Sequence, residues 1–174
     1  MRSPAERGEM AMSDTAEAGA STTSGRRVAF VRALAVAAAV VVIDRLTKAA
    51  VVNGIAVGDV HKFLPGVQLV HVRNSGVAFG FFSGGGAVVL VLTLAALSAL
   101  VVYFALRPAR PWLWLPVGLL LGGALGNLID RIGGGSVTDF IKLPFWPAFN
   151  VSDMAITFGV LALLYVLEGR RADS

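Results

Sequence analysis

The chain has 174 residues, of which 56% are apolar and 15% charged, with a formal charge of +4 and a mean hydropathy of +0.74. Soluble domains carry about 25% charged residues, so this composition argues against one, while a span of about 20 residues per ~30 Å of hydrocarbon leaves room for four crossings and little for a large two-repeat transporter. The absence of cysteine excludes a disulfide framework, a thiolate metal site and a cysteine nucleophile.

In chain order, residues 1–25 mix charges of both signs with Ala, Ser, Thr and Gly without a helical or strand period, and are expected to form a disordered cytoplasmic tail. The rest, 26–171, reads as a single four-helix membrane domain. Arg26 and Arg27 introduce an apolar run from Val28 that is interrupted by Asp44, Arg45 and Lys48 and resumes to about residue 52. No small-residue cleavage site follows, so the run is expected to stay as the first membrane helix instead of leaving as a signal peptide.

Residues 53–86 are polar and glycine-rich with short β-branched stretches such as Val67–Val72, which predicts a small β-rich cradle at one membrane face between helices 1 and 2. Residues 87–106 carry no charge and make the clearest span. A basic turn at 107–111 leads to a third run over 112–130, in which Gly118, Gly122 and Gly126 form a stripe that lets a neighbouring helix approach closely. The fourth span covers about 151–167. Arg26, Arg27, Arg107, Arg110, Arg170 and Arg171 then share one side, which the positive-inside rule makes cytoplasmic. The cradle and the loop 130–152 meet on the other, extracytoplasmic side.

Outside the tail and the C-terminus the acidic residues are all aspartates: Asp44, Asp59, Asp130, Asp139 and Asp153. All but Asp59, read as a solvated turn residue, stand at or beside the outer ends of helices 1, 3 and 4, where an ionisable group is costly unless paired or functional. Asp139 and Asp153 lie in apolar local sequence with no adjacent cation. Folded together at low dielectric they would share one proton, and the pair could activate water against a peptide carbonyl. Spacing alone leaves other roles open. With Asn150 as N-cap, Asp153 falls at N3 of helix 4, where a carboxylate complements the helix dipole, and Asp139 could cap a turn.

Asn127, Asp130 and Arg131 share a face of helix 3, where Asp130 could orient Arg131 for a substrate carbonyl or lipid headgroup or the two could form an interfacial ion pair. Asp44 and Lys48 form an i, i+4 pair on helix 1. The stretch from Asn74 through Gly76 to Gly80 could hold an extended peptide or form a β-turn. His61 and His71 lack a metal-binding motif, and the serines lack a nucleophile-elbow context, so neither metal nor cofactor is expected. A proton-coupled carrier would place acids at mid-span, where helices 2 to 4 have none. A scaffold packed through the glycine stripe stays open.

The blocks Asp44-Arg45-Leu46-Thr47-Lys48, Asn74-Ser75-Gly76-Val77-Ala78-Phe79-Gly80, Gly122 to Arg131, Val137-Thr138-Asp139-Phe140 and Phe149-Asn150-Val151-Ser152-Asp153 together resemble lipoprotein signal peptidase, or signal peptidase II, a four-helix membrane aspartyl peptidase family of bacteria. The resemblance implies that Asp139 and Asp153 are the catalytic dyad. It implies that Asn74, Asn127, Arg131 and Asn150 line the substrate site, with Asp44, Asp130, Lys48 and Gly76 in support. Arg45 departs from the glutamine common in the family. The implied partners are a diacylglyceryl-prolipoprotein substrate, cleaved before its lipidated cysteine, and membrane lipid, but no nucleic acid and no metal. The implied setting is the bacterial cytoplasmic (inner) membrane, where the protein would act as a multi-pass monomer.

Overall fold

The computed structural model describes residues 4–75, 85–108 and 110–168. In chain order it contains α1 (Pro4–Gly54), β1 (Val60–Leu64), β2 (Val67–Asn74), α2 (Gly85–Leu106), α3 (Trp114–Gly134), β3 (Val137–Lys142) and α4 (Val151–Glu168). The backbone of α1 departs from the expected disordered tail, since it is helical from Pro4 onward. Proline is favoured at a first helical position, and the Ala, Glu, Met and Arg that follow are strong helix formers even where no period marks a buried face.

Helix α3 is the hub and packs against α1, α4 and α2. Its glycine stripe faces α1: a Cβ on Gly118 would stand 2.7 Å from the Ala33 carbonyl, and one on Gly122 2.7 Å from Val40 Cβ. Gly123 turns the other way, and a Cβ there would meet the Ser152 carbonyl oxygen of α4 at 2.5 Å. Small residues therefore let both neighbours sit against the α3 backbone, the usual packing device where the solvent is lipid. Large apolar side chains point outward instead, among them Leu34 and Leu46 on α1, Val91 and Leu92 on α2, and Leu161, Leu164 and Tyr165 on α4. The inward positions hold small residues, larger apolar side chains such as Phe104, Leu113 and Val117, and the buried polar groups Asp44, Lys48, Asn127, Asp130, Asp139, Asn150 and Ser152. Among the described residues, α3 and α4 are the two helices long and apolar enough to cross a membrane by length and composition, and the apolar run Val91–Leu106 of α2 is shorter.

The sheet has order β1-β2-β3, antiparallel throughout. Its first two strands lie in the expected region, but the third comes from the segment after α3, which reads as a loop in the sequence. The six residues Val137–Lys142 are too few to betray a strand alone, and the partner strand is distant in sequence. Helix α3 itself runs past Asp130 to Gly134 and closes on Gly135, at φ 71°, whose N–H donates to the Arg131 carbonyl. That left-handed position suits glycine.

Register then positions the polar groups. Asn74 pairs with Val137 and Val72 with Asp139, so Asn74 and Asp139 are diagonal neighbours on one face of the β2–β3 ladder. Beyond β3 the chain loops back, with Ile141 N–H donating to the Phe149 carbonyl at 2.8 Å and Phe149 N–H to the Ile141 carbonyl at 3.0 Å. This return delivers Asn150 to the start of α4.

Candidate active site

Asn150 is fully buried and occupies the N-cap of α4. Its Oδ1 accepts the Asp153 N–H at 3.0 Å, and Asp153 Oδ2 accepts the Asn150 N–H at 3.2 Å. This reciprocal arrangement satisfies two helix-end donors and locks the Asp153 rotamer. The N-cap reading of Asn150 and Asp153 is thus correct as geometry, and it fixes the carboxyl in place without using up its second oxygen. That oxygen, Oδ1, accepts from Asn127 Nδ2 at 2.8 Å.

The Asn150 side chain also reaches the other carboxyl. Its Nδ2 donates to Asp139 Oδ1 at 2.7 Å and to Asn127 Oδ1 at 3.2 Å. Asp139 Oδ2 accepts from Asn74 Nδ2 at 2.9 Å. Asp139 lies within β3, not in a turn, and only 2% of it is exposed. Burial pushes its carboxyl above the ordinary carboxylate range and the charge of Asp153 adds to this, while the Asn74 and Asn150 amides and the Lys48 charge pull the other way. Among the described residues no cation forms an ion pair with either Asp139 or Asp153.

The other two aspartates are held by charge. Lys48, 3% exposed, directs its Nζ to Asp44 Oδ2 at 2.7 Å, Asp130 Oδ2 at 2.9 Å and Asn127 Oδ1 at 3.2 Å. Three acceptors match the three protons of an ammonium group. Asp44 Oδ1 accepts the Ser152 N–H at 3.0 Å, which ties the first turn of α4 to α1. Asp130 pairs with Arg45 and Lys48 across the bundle, not with Arg131 as its spacing suggests, and also accepts the Thr138 N–H at 3.3 Å. Arg131 donates to the Asn127 carbonyl one turn back, at 3.3 Å.

The structure therefore brings Asp139, Asp153, Asn74, Asn127 and Asn150 into one hydrogen-bonded group, backed by Asp44, Lys48 and Asp130, with Arg131 at its edge. Gly76 lies outside the described residues. Arg45, the departure from the family pattern, gains a role that sequence reasoning missed: its guanidinium pairs with Asp130, and the i to i+85 separation hides this from any local spacing argument. His71 is buried with Nδ1 2.8 Å from the Ile55 carbonyl, away from the carboxyls, and His61 is exposed on β1. No cluster of three or more potential ligand side chains is arranged for a metal among the described residues.

The family model described as Signal peptidase (SPase) II matches residues 36–168. The lipoprotein signal peptidase of Syntrophomonas wolfei is 40% identical over 77% of this chain and 92% of that protein. The lipoprotein signal peptidase of Moorella thermoacetica is 48% identical over 58% of this chain and 67% of that protein. A solved bacterial membrane enzyme, determined by the in meso method at 1.9 Å resolution, superposes with a TM-score of 0.71 at 34% identity, covering 78% of this chain and 91% of its own. The matched segment begins in α1 ahead of Asp44 and ends with α4, so it contains every described residue of the carboxyl group and its supports, and the chain belongs to the signal peptidase II family.

Proposed function

We propose that the chain is a membrane-embedded aspartyl endopeptidase that removes signal peptides from diacylglyceryl-modified prolipoproteins, with Asp139 and Asp153 as its catalytic carboxyls. One observation carries this reading: two carboxyls converge on a single asparagine, Asn150, held among the described residues by neutral N–H donors, and burial gives one of them an elevated proton affinity. Asp139 then holds the shared proton. Asp153 accepts a proton from water as the water oxygen adds to the scissile carbonyl carbon, and Asp139 gives its proton to the carbonyl oxygen. When the tetrahedral intermediate collapses, the C–N bond breaks, the new amine takes the proton from Asp153, and Asp139 recovers its own. Asn74, Asn127 and Asn150 keep the carboxyls oriented, and the remaining N–H groups of Arg131 are available for a substrate carbonyl or headgroup phosphate.

In this reading α1 to α4 each cross the bacterial inner membrane, with Arg26, Arg27, Arg107 and Arg110 on the cytoplasmic side and the carboxyls at the extracytoplasmic face. The substrate's acyl chains stay in hydrocarbon at about 0.8 kcal/mol per methylene, so lipid anchors the substrate while the peptide is lifted to the dyad. The protein acts as a monomer. The purified protein in detergent is expected to cleave a diacylglyceryl-modified preprotein immediately before the modified cysteine, with or without EDTA, and to leave the unlipidated preprotein largely intact. Equal turnover of both preproteins would remove the lipid-anchoring part of the proposal, and inhibition by EDTA would remove the metal-free dyad.

A further inference from the structure

A second concave site lies at the opposite end of the bundle. Trp114 and Asn127 are 13 residues apart on α3, about 20 Å at ~1.5 Å per residue, and Arg32 and Asp44 are separated along α1 by nearly as much. Between the start of the apolar part of α1 and the α2–α3 turn there is a half-open cavity of about 770 Å³, lined by Arg26, Arg32, Arg110, Pro108, Trp112 and Trp114 with Val28 and Ala29 behind them. Among the described residues no acidic side chain lines it. Among the described residues none of its three arginines is paired with a carboxylate. Arg110 donates to Tyr103 Oη at 2.8 Å and to the Val166 and Leu167 carbonyls at the end of α4 at 2.6 and 3.2 Å. The Arg32 guanidinium lies 5.7 Å above the Trp114 ring.

Three guanidinium groups collected without a counter-charge among the described residues, over a wall of indole and aliphatic surface, match the two halves of an anionic phospholipid. A phosphodiester takes N–H donors in a planar fork, and the indoles sit where headgroup meets hydrocarbon. We propose that this cavity binds the phosphodiester headgroup of an anionic membrane phospholipid, with its acyl chains running along the exposed apolar surface of α1. Basic pockets between membrane helices bind such headgroups through the same chemistry. The inference rests on the bundle standing in a bilayer and is independent of the carboxyl chemistry at the far end.

The test uses the full chain carrying Trp146→Phe, which leaves Trp112 and Trp114 as the only indoles. The protein is reconstituted in nanodiscs of phosphatidylcholine containing brominated phosphatidylglycerol or, at the same mole fraction, brominated phosphatidylcholine. Bromine on the anionic lipid is expected to quench the tryptophan emission roughly twofold more strongly, and Arg26→Gln/Arg32→Gln to abolish that difference. The charge-preserving pair Arg26→Lys/Arg32→Lys is expected to keep part of it, because charge survives and the fork is lost. Equal quenching by the two lipids in the arginine-bearing protein would overturn the proposal without recourse to any variant, as would a preference that persists in the glutamine variant. Loss of the preference on adding inorganic phosphate would assign the cavity to free anions and overturn the lipid assignment. Prolipoprotein cleavage measured on the same nanodiscs reports the carboxyl site separately.

Discussion

Asp44 and Asp130 face an ammonium group, and Asp130 a guanidinium as well. Asp139 and Asp153, one layer outward, receive N–H groups from Asn74, Asn127 and Asn150. A neighbouring cation holds a carboxylate by charge, whereas the neutral amides around Asp139 fix its position and only partly offset the rise that burial causes. Asn127 joins the two layers and keeps them distinct. Lysine has no acceptor, so Asn127 must turn Oδ1 toward Lys48, which commits Nδ2 to Asp153. The charge of the inner layer thus sets the direction of the hydrogen bonds in the outer one. The same residue type acts as a fastening in one layer and, in the proposed mechanism, does acid–base work in the other.

The contrast is tested most severely by removing single ionisable oxygens from the outer layer. Asp139→Asn and Asp153→Asn are each expected to lower kcat by about 10²–10⁴-fold or more, while the melting temperature in detergent changes less than for any inner-layer substitution. Substantial cleavage by either variant would show that the outer carboxyls are fastenings too. Lys48→Met should do the reverse. It leaves Asp44 buried without a cation among the described residues and Asp130 with Arg45 alone, a loss of about 3–5 kcal/mol in stability, read as a lowered midpoint of unfolding. The freed Asn127 amide can then rotate, so the fraction that remains folded should also turn over more slowly.

Gly126→Ala probes the mechanical link between the layers. A methyl there would overlap Ser152 Oγ and stand 2.8 Å from Asp44 Oδ2, against the contact in which Asp44 holds the Ser152 N–H at the first turn of α4. Overpacking of this kind costs about 1–3 kcal/mol. Because the same turn carries Asp153, kcat is expected to fall along with stability, whereas Gly133→Ala, open to space, should change neither.

Local and long-range contacts were not equally legible in the sequence. The Asn150–Asp153 cap and the Asp44–Lys48 pair are local, at i to i+3 and i+4, and spacing finds both. The glycine stripe announces a close helix without saying which, and α1 turns out to be the partner. Everything that joins distant segments was hidden: Arg45 to Asp130, Asn74 to Asp139 across the β2–β3 ladder, and Asp44 to the Ser152 N–H. A single sequence gives the period of an element but not its partner. That is also why β3 reads as a loop and why Asp130 reads as the mate of its neighbour Arg131. Here the resemblance to a family supplied the proposed dyad, and chemistry alone left Asp139 and Asp153 with cap and turn alternatives.

The smallest expected effect concerns where the outer layer titrates. Asp139 is raised chiefly by burial, with Asp153 adding to the rise and the Asn74 amide opposing it, so the alkaline limb of the pH–rate profile is expected above the ordinary carboxylate range. Asn74→Ala removes a donor that favours the ionised form and should move the alkaline limb to still higher pH, while the rate at the optimum changes by less than about tenfold for one hydrogen bond of ~1 kcal/mol. Stability follows the same sign. A carboxyl with a raised folded-state value binds more protons folded than unfolded, so its contribution is fully present below the unfolded value and is lost as pH rises through the folded one. Unfolding midpoints measured across that window should therefore decline with rising pH in the parent and decline less in Asp139→Asn. An alkaline limb that moves downward in Asn74→Ala would mean that the amide holds the neutral acid in place instead of opposing it, and the division between charge-held and amide-held carboxyls would have to be redrawn.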